Sequence, residues 1–187
     1  MGMSSAPQTD WTIERLHDLP EDGNRYEIID GELFVTPSPR LVHGIAAFEL
    51  AVILRPYARS MGMDVLLSPA DIQYSERTVV QPDVFVFRRG PDRPMKDWAD
   101  VQPLQLAIEV LSPSTSRRDR TVKRDLYQTQ GVPEYWIVDI DARVIERWLP
   151  DSTVAELLTT SLAWQPVSVH APLHIDLIEY FRSVHGD

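Results

Sequence analysis

The spacing of apolar residues predicts one long helix, a second shorter helix and a series of short strands. Apolar side chains recur at helical spacing over about residues 41–60, on a face that also carries His43. A second helix is expected from about Ser116 to Gln130, because Gly131-Val132-Pro133 would end it. Short helices are predicted at about residues 12–19 and 175–184. The helical segments are therefore separated by stretches with strand-like patterns.

The strand pattern begins with a hairpin, since Asp30-Gly31 lies between two apolar runs and favours a two-residue turn. The other predicted strands cover residues 64–67, 71–74, 79–87, 104–111, 135–139, 144–148, 153–160 and 165–170. Three prolines between residues 88 and 103 indicate an irregular loop, and residues 1–10 are expected to form a flexible arm. This order predicts a single domain over residues 11–187 of the α/β (α+β) class, with a central mixed sheet flanked by helices.

Composition narrows the class of protein without identifying a function. With 187 residues, 43% of them hydrophobic and 25% charged, the chain is long enough for a hydrophobic core and typical of globular proteins. It has no cysteine, which excludes disulfides and thiolate metal sites. We find no apolar run of the roughly 18 residues that span a bilayer and no signal-like amino terminus. A cytoplasmic protein without a membrane partner is therefore expected.

The net charge of −10 argues against a simple nucleic-acid coat protein, because binding to a polyanion rests largely on Lys and Arg. The charge is unevenly placed, however, since residues 112–128 carry five basic residues against two acidic ones. A local contact with phosphate groups is therefore compatible with the acidic composition.

Asp83, Glu109 and Lys123 are the main candidates for chemistry. Asp83 opens an apolar strand after Pro82, and Glu109 lies inside the next strongly apolar strand. A buried carboxylate needs a cation, a metal or a hydrogen-bond partner, and two carboxylates on neighbouring strands can hold a hard divalent cation. Lys123 borders the inward face of the second helix, from which its ammonium could orient a water or balance negative charge. Alternatively, Asp83 caps a turn and Glu109 forms a structural salt bridge.

Three further residues could assist this site. His43 lies on the apolar face of the first long helix, where it is either a packed core residue or a functional one. Glu27 and Glu32 share one face of the first hairpin, and either could supply a third acidic group.

Candidate contacts to nucleic acid follow Glu109 in the sequence. The serine-rich loop after it offers hydroxyl groups to phosphate oxygens, and one stripe of the second helix carries arginines that are either phosphate contacts or solvated charges. The residues concerned are Ser112, Ser114, Arg117, Arg120 and Arg124.

Several motifs together resemble one family. They are Pro82-Asp83, Glu109-Val110-Leu111-Ser112-Pro113-Ser114-Thr115, Arg118-Asp119-Arg120 with Lys123 and Tyr127, Gly131-Val132-Pro133-Glu134-Tyr135-Trp136, the hairpin at residues 26–32 and His43. Over roughly residues 10–182 the chain resembles the Uma-type restriction endonucleases, within the PD-(D/E)XK nuclease superfamily. The resemblance implies a restriction-endonuclease-like core and cleavage of phosphodiester bonds in DNA.

The same resemblance implies a cofactor and a set of site residues. It implies Mg²⁺, with Mn²⁺ as a substitute, held by Asp83, Glu109 and the backbone of Val110. The superfamily pattern places a lysine two residues after the glutamate, where this chain has Leu111, and Lys123 matches the helix position used by relatives with a displaced lysine. A homodimer is expected because double-strand cleavage usually needs two sites. Two alternatives stay open: a catalytically silent relative that binds nucleic acid or a protein, and a metal-dependent phosphohydrolase acting on small substrates.

Overall fold

The structure is a computed structural model that describes residues 10–90, 96, 98–101 and 103–187. Its strands are β1 (Arg25–Ile29), β2 (Glu32–Thr36), β3 (Met63–Leu67), β4 (Ile72–Ser75), β5 (Thr78–Val80), β6 (Val84–Arg88), β7 (Leu104–Val110), β8 (Tyr135–Asp139), β9 (Val144–Trp148), β10 (Glu156–Leu158), β11 (Ser161–Trp164) and β12 (Leu173–Asp176). The helices are α1 (Ile13–His17), α2 (Leu41–Ser60), α3 (Ser116–Arg118), α4 (Arg124–Thr129) and α5 (Leu177–His185), with a 3₁₀ turn at Trp98–Val101 and a π-helical turn at Asp119–Lys123 between α3 and α4. The predicted arm at residues 1–9 and the loop residues 91–95, 97 and 102 lie outside the described residues.

A six-stranded mixed sheet forms the centre of the molecule, as the sequence predicts. Its strand order is β10-β9-β8-β7-β6-β3, and all neighbours run antiparallel except the parallel pair β7 and β8. Parallel neighbours need a crossover connection, and here the chain makes it through α3, the π-helical turn and α4. This crossover returns the chain along the sheet and places Lys123 beside Glu109 of β7.

The inner strands β6, β7 and β8 of the central sheet are buried on both faces, so each divides its side chains between two hydrophobic clusters. Val84 and Val86 of β6 pack in the cluster that contains α2 and α5. Phe85 and Phe87 point the other way, into the cluster that contains Leu126 of α4. Both helical layers are therefore fixed by the same alternating strand.

A smaller sheet, in the order β2-β1-β5-β4, lies beside one end of the central sheet. The predicted hairpin is confirmed, with Asp30 and Gly31 at φ values of 52° and 84°, the positive values that a type I′ turn requires. Glycine adopts this conformation without steric cost, which explains its position at the turn. The hairpin brings β1 to the edge of the functional site.

Two strand predictions are wrong. The segment 79–87 is two strands in different sheets, because Pro82 cannot donate a ladder hydrogen bond and the chain changes sheets at Gln81–Asp83. Residues 165–170 are not a strand, since Pro166 interrupts the pattern, and β11 pairs instead with β12. The last helix begins at Leu177 because Asp176 caps it through hydrogen bonds from the amides of Ile178 and Glu179.

Helix α2 is long and apolar enough, by length and composition, to cross a membrane, contrary to our expectation that no segment would be. The same test is passed by core helices of globular proteins. The buried positions of α2 lie in the cluster it forms with the central sheet and α5.

Candidate functional site

Asp83 lies where the chain passes from the small sheet into the central sheet, and its carboxylate has partners from three other elements. One oxygen, Oδ2, accepts a hydrogen bond from the Val110 amide at 2.8 Å and lies 3.1 Å from Nε2 of His43. The other, Oδ1, accepts from Nη1 of Arg25 at 2.5 Å. The Val110 contact places the Asp83 carboxylate against the peptide that follows Glu109.

Glu109 faces the crossover helix, because alternation along β7 turns it away from Ile108 and Val110. Its Oε1 accepts from Nζ of Lys123 at 2.8 Å and from the hydroxyl of Tyr127 at 3.1 Å. Asp83, Glu109 and Lys123 are only 3%, 2% and 2% exposed. The three residues predicted to act together are therefore brought into one buried cluster.

Glu27 joins the same cluster from the small sheet. Its Oε1 lies 2.7 Å from Nζ of Lys123 and accepts from the Gln81 amide at 2.8 Å, while Oε2 lies 3.2 Å from Nη2 of Arg118. Lys123 is thus shared by two carboxylates. Glu32, the other acid predicted on this hairpin, is partly exposed and pairs with Ile29 next to the turn, away from Lys123.

The π-helical turn sets the positions of the helical members. It places both Asp119 and Lys123 in the protein interior, where each is at most 2% exposed. Such turns are rare and occur frequently at functional sites. The Oδ1 atom of Asp119 and the Nε atom of Arg118 are buried without a hydrogen-bond partner among the described residues.

The pKa of Asp83 is lowered to about 2. Burial by itself would raise this pKa, but the hydrogen bond with His43, the charge of Arg25 and the Val110 amide together outweigh it. Asp83 is therefore a carboxylate at neutral pH.

Glu109 behaves in the opposite way, with a pKa raised to about 8. Burial is the main cause of the raised pKa; the charge of Lys123 acts against it, and the charges of Asp83, Asp119 and Glu27 raise the pKa further. The pKa of Lys123 is also raised, because Glu109, Glu27 and Asp119 favour the ammonium more than burial disfavours it. Glu109 is thus the carboxylate most in need of further positive charge.

The numbers of acidic and basic groups in the cluster explain why Glu109 lacks a full balance of positive charge. The cluster contains four carboxylates and three cationic side chains, namely Glu27, Asp83, Glu109 and Asp119 with Arg25, Arg118 and Lys123. One negative charge remains uncompensated unless His43, which contacts Asp83, is protonated or another proton or cation is bound.

These groups suit a hard divalent cation in chemistry, although not as a complete set of side-chain ligands. Nowhere in the described part of the chain do three or more His, Asp or Glu side chains form a group that could hold a metal ion. The predicted metal site needs only two side-chain ligands, because it uses Asp83, Glu109 and the Val110 backbone. All three are oxygen donors of the type that Mg²⁺ prefers. The excess carboxylate supports this fit, whereas Arg25 competes with it by binding Asp83.

Of the residues predicted to contact nucleic acid, two serines lie in the loop beside the cluster and two arginines already have acidic partners. The hydroxyl of Ser112 lies 3.0 Å from that of Ser114, in the loop beside the cluster. Arg120 binds Glu146 and Asp139, at 2.7 and 3.0 Å, and Arg124 contacts Asp125 and stacks over the Trp148 ring. Arg117 is exposed. The role of these five residues stays a prediction, but Arg120 and Arg124 already have acidic partners.

Sequence reasoning missed Arg25, Arg118 and Asp119 as members of the cluster. Arg25 is two residues before Glu27 on β1, so alternation places both on one face, and Asp119 is one helical turn before Lys123. These spacings were the available signals. A cation beside acidic residues in a strand is too common to identify a site by itself.

Comparison with known proteins gave a matching family model and similar solved structures, whereas a search of the curated proteins gave no significant match. A crystal structure described as "a putative nuclease belonging to DUF820", from Anabaena variabilis, has a TM-score of 0.76 and 20% sequence identity, covering 93% of this chain and 99% of that one. At this identity the likeness shows the fold. The family profile described as "Uma2: Putative restriction endonuclease" matches residues 13–176. The chain, with its restriction-endonuclease-like fold, therefore belongs to the Uma2 family.

Proposed function

We propose that the protein is a Mg²⁺-dependent endonuclease that hydrolyses phosphodiester bonds in DNA. The observation that carries this proposal is the convergence of Asp83, Glu109 and Lys123, from three separate elements, in one buried cluster. Membership of the Uma2 family supports the reaction class. The uncompensated carboxylate supports the need for a cation.

In this proposal Asp83, Glu109 and the Val110 carbonyl hold the ion, and Mn²⁺ can replace Mg²⁺. When bound, the ion would lower the pKa of a water molecule and offset negative charge on the phosphate. His43 and the Val110 amide fix the orientation of the Asp83 carboxylate. Lys123 orients the attacking water or balances charge on the phosphate, and Glu27 holds its ammonium in place.

The proposal also assigns a partner and a location. DNA would be held through its backbone by Ser112, Ser114, Arg117, Arg120 and Arg124, in the cytoplasm. A homodimer would provide the two sites that cleavage of both strands requires.

Plasmid nicking tests the proposal. We expect cleavage with Mg²⁺ or Mn²⁺ and none with EDTA, and we expect Asp83→Asn and Glu109→Gln each to lower the rate by about 10²-fold or more. Glu156→Gln is the matched control, because Glu156 is an exposed acid on β10 that pairs with Arg147. Thermal melts of each variant separate loss of chemistry from loss of fold. Cleavage that survives both site substitutions, or that does not need a metal, would overturn the proposal.

A catalytically silent relative is the second candidate, and one contact favours it. Arg25 binds Asp83 and so supplies at that carboxylate the positive charge that a metal would otherwise bring. In that case, the purified protein would bind DNA or a protein partner without cleaving plasmid under any divalent cation.

A further inference from the structure

Two adjoining cavities open beside the amino-terminal end of α2, and together we call them the entry groove. Their volumes are about 240 and 300 Å³. The two cavities share four of their lining residues, namely Arg40, His43, Ser112 and Pro113. They therefore form one feature that lies on both sides of His43.

The entry groove leads to the buried cluster. His43, which lines both cavities, contacts Asp83 through Nε2, and Arg25, which lines the second cavity, contacts the other oxygen of the same carboxylate. Asp83 itself is only 3% exposed. A substrate would therefore reach the site through the entry groove and would have to place a phosphate below the molecular surface.

The charges along the entry groove single out Arg40. Two other arginines line it, but Arg25 is paired with Asp83, and Arg120 is paired with Asp139 and Glu146. The acidic lining residues, Asp139 and Asp141, both belong to the first cavity, so the second cavity is lined by Arg25 and Arg40 and by no acidic residue. The exposed Arg40 side chain has no ion pair or hydrogen bond within the described part of the chain. Its guanidinium is therefore free to bind a phosphate, next to the hydroxyls of Ser112 and Ser114.

A single strand fits this arrangement better than a duplex does. A duplex carries about one negative charge per 1.7 Å of axis and is stiff, so it would lie across a surface of net charge −10 without reaching a recessed carboxylate. An unpaired strand is flexible and can bend one phosphate into the second cavity, where the charged lining residues are Arg25 and Arg40. The groove also offers few unpaired cations to neutralise a longer array of phosphates.

We infer that the entry groove binds a single, unpaired DNA strand, with Arg40 on a phosphate beside the bond to be cleaved. The inference rests on the proposed function for its cleavage step, but strand binding stands independently of cleavage. It names a substrate class and a residue that neither the sequence motifs nor the family assign.

Fluorescence anisotropy with a labelled oligonucleotide, alone and as the matched duplex, tests the inference. Measurements in EDTA and again in Ca²⁺ separate binding from cleavage. We expect the single strand to bind at least about tenfold more tightly than the duplex. Arg40→Gln should weaken single-strand binding about five- to tenfold and reduce the slope of log K against log salt by about 0.7, as expected for one lost phosphate contact.

Arg88→Gln is the matched control, since Arg88 is exposed at the end of β6 farthest from Asp83 and lines neither cavity. Arg40→Lys should keep most of the binding because it keeps the charge. Equal or tighter binding of the duplex, or equal effects of Arg40→Gln and Arg88→Gln, would overturn the inference. Single-strand binding without nuclease activity would refute the proposed function alone, whereas duplex cleavage without single-strand binding would refute the inference alone.

Discussion

Arg25 determines how the Asp83 carboxylate is held when no other cation is near. Its guanidinium contacts Oδ1, while His43 and the Val110 amide remain on Oδ2. A carboxylate buried to this degree must be compensated, and a guanidinium does so without a metal. Under the proposed function, Arg25 and a divalent cation would therefore compete for the Asp83 carboxylate.

This competition gives a prediction about metal affinity. Arg25→Gln should increase the affinity for Mn²⁺ about tenfold, because the ion no longer has to displace a cation from Asp83. Isothermal titration calorimetry measures the affinity directly. The stabilisation of the protein by Mn²⁺ in a thermal melt should increase as well, since binding to the folded state alone raises stability.

Arg25→Lys is the control for this measurement, because it keeps a positive charge within reach of Asp83. Unchanged Mn²⁺ affinity in Arg25→Gln would show that the guanidinium does not occupy the position of the ion. Weaker affinity would mean that Arg25 supports the ligand geometry instead.

The individual site residues differ in how far the sequence could identify them. Asp83 and Glu109 stand out because a carboxylate in an apolar strand needs a partner, and the surrounding motifs are specific. Their partners Arg25 and Asp119 were harder to identify, because strand alternation and one-turn spacing show which side chains share a face, but not where β1 docks or where the helix packs. Both depend on tertiary packing, which no local pattern contains.

At the scale of elements, the carboxylate of Asp64 joins α2 to β3, the strand at one edge of the central sheet. Asp64 on β3 accepts two hydrogen bonds from Arg59 of α2, at 3.1 and 2.7 Å, and one from the Val65 amide at 3.0 Å. Burial raises the pKa of Asp64, but the hydrogen bonds from Arg59 and Val65 and the charges of Arg59 and Arg55 lower it by more. The net result is a lowered pKa.

The lowered pKa predicts a pH-dependent contribution to stability. Above the unfolded-state pKa of about 3.9 the ionised Asp64 stabilises the fold fully, and this contribution is lost as the pH falls through the lower folded-state value. Asp64→Asn should thus decrease the free energy of unfolding by about 1–2 kcal/mol at neutral pH. Urea titrations at pH 7 and near pH 3 measure the difference, which should shrink at the lower pH. A difference that is the same at both pH values would contradict this assignment.

Elements with strong local signals were predicted closely, and those that depend on pairing were not. The α2 bounds follow from periodicity, and the first hairpin follows from its Asp-Gly turn. The division between β5 and β6 was missed because both halves are apolar and only Pro82 marks the break. The pairing of β11 with β12 joins segments whose own patterns are weak.

At the scale of the whole molecule, one face of the central sheet packs against α2 and α5, and the other packs against the helix that carries Tyr127. Helices α2 and α5 share one hydrophobic cluster with the sheet, while Lys123 and Tyr127 approach from the helix on the other face. Helix α2 also contributes His43 to the candidate site, whereas α5 contributes no residue to the cluster around Asp83, so we expect a substitution on α5 to change stability without changing the candidate site.

Phe181→Ala tests this separation. Phe181 is 1% exposed in the cluster between α5 and the sheet, and its truncation should cost about 3–5 kcal/mol of unfolding free energy. Ile178→Ala is the control, because Ile178 lies on the solvent side of α5 and is 52% exposed. Urea denaturation measures both. At temperatures where Phe181→Ala remains folded, its Mn²⁺ affinity should match that of the unsubstituted protein; a change would show that the two faces are coupled.

The peptide link at Gln81–Asp83 has a consequence for how the cluster comes into being. This short connector joins two sheets, and it delivers Asp83 from one side while the amide of Gln81 holds Glu27 on the other. The ion pairs of both carboxylates cross between elements, since Arg25 of β1 binds Asp83, and Lys123 and Arg118 of the crossover bind Glu27. These pairs form only when the hairpin docks beside the central sheet, so we expect assembly of the candidate site and completion of the tertiary structure to be one cooperative event.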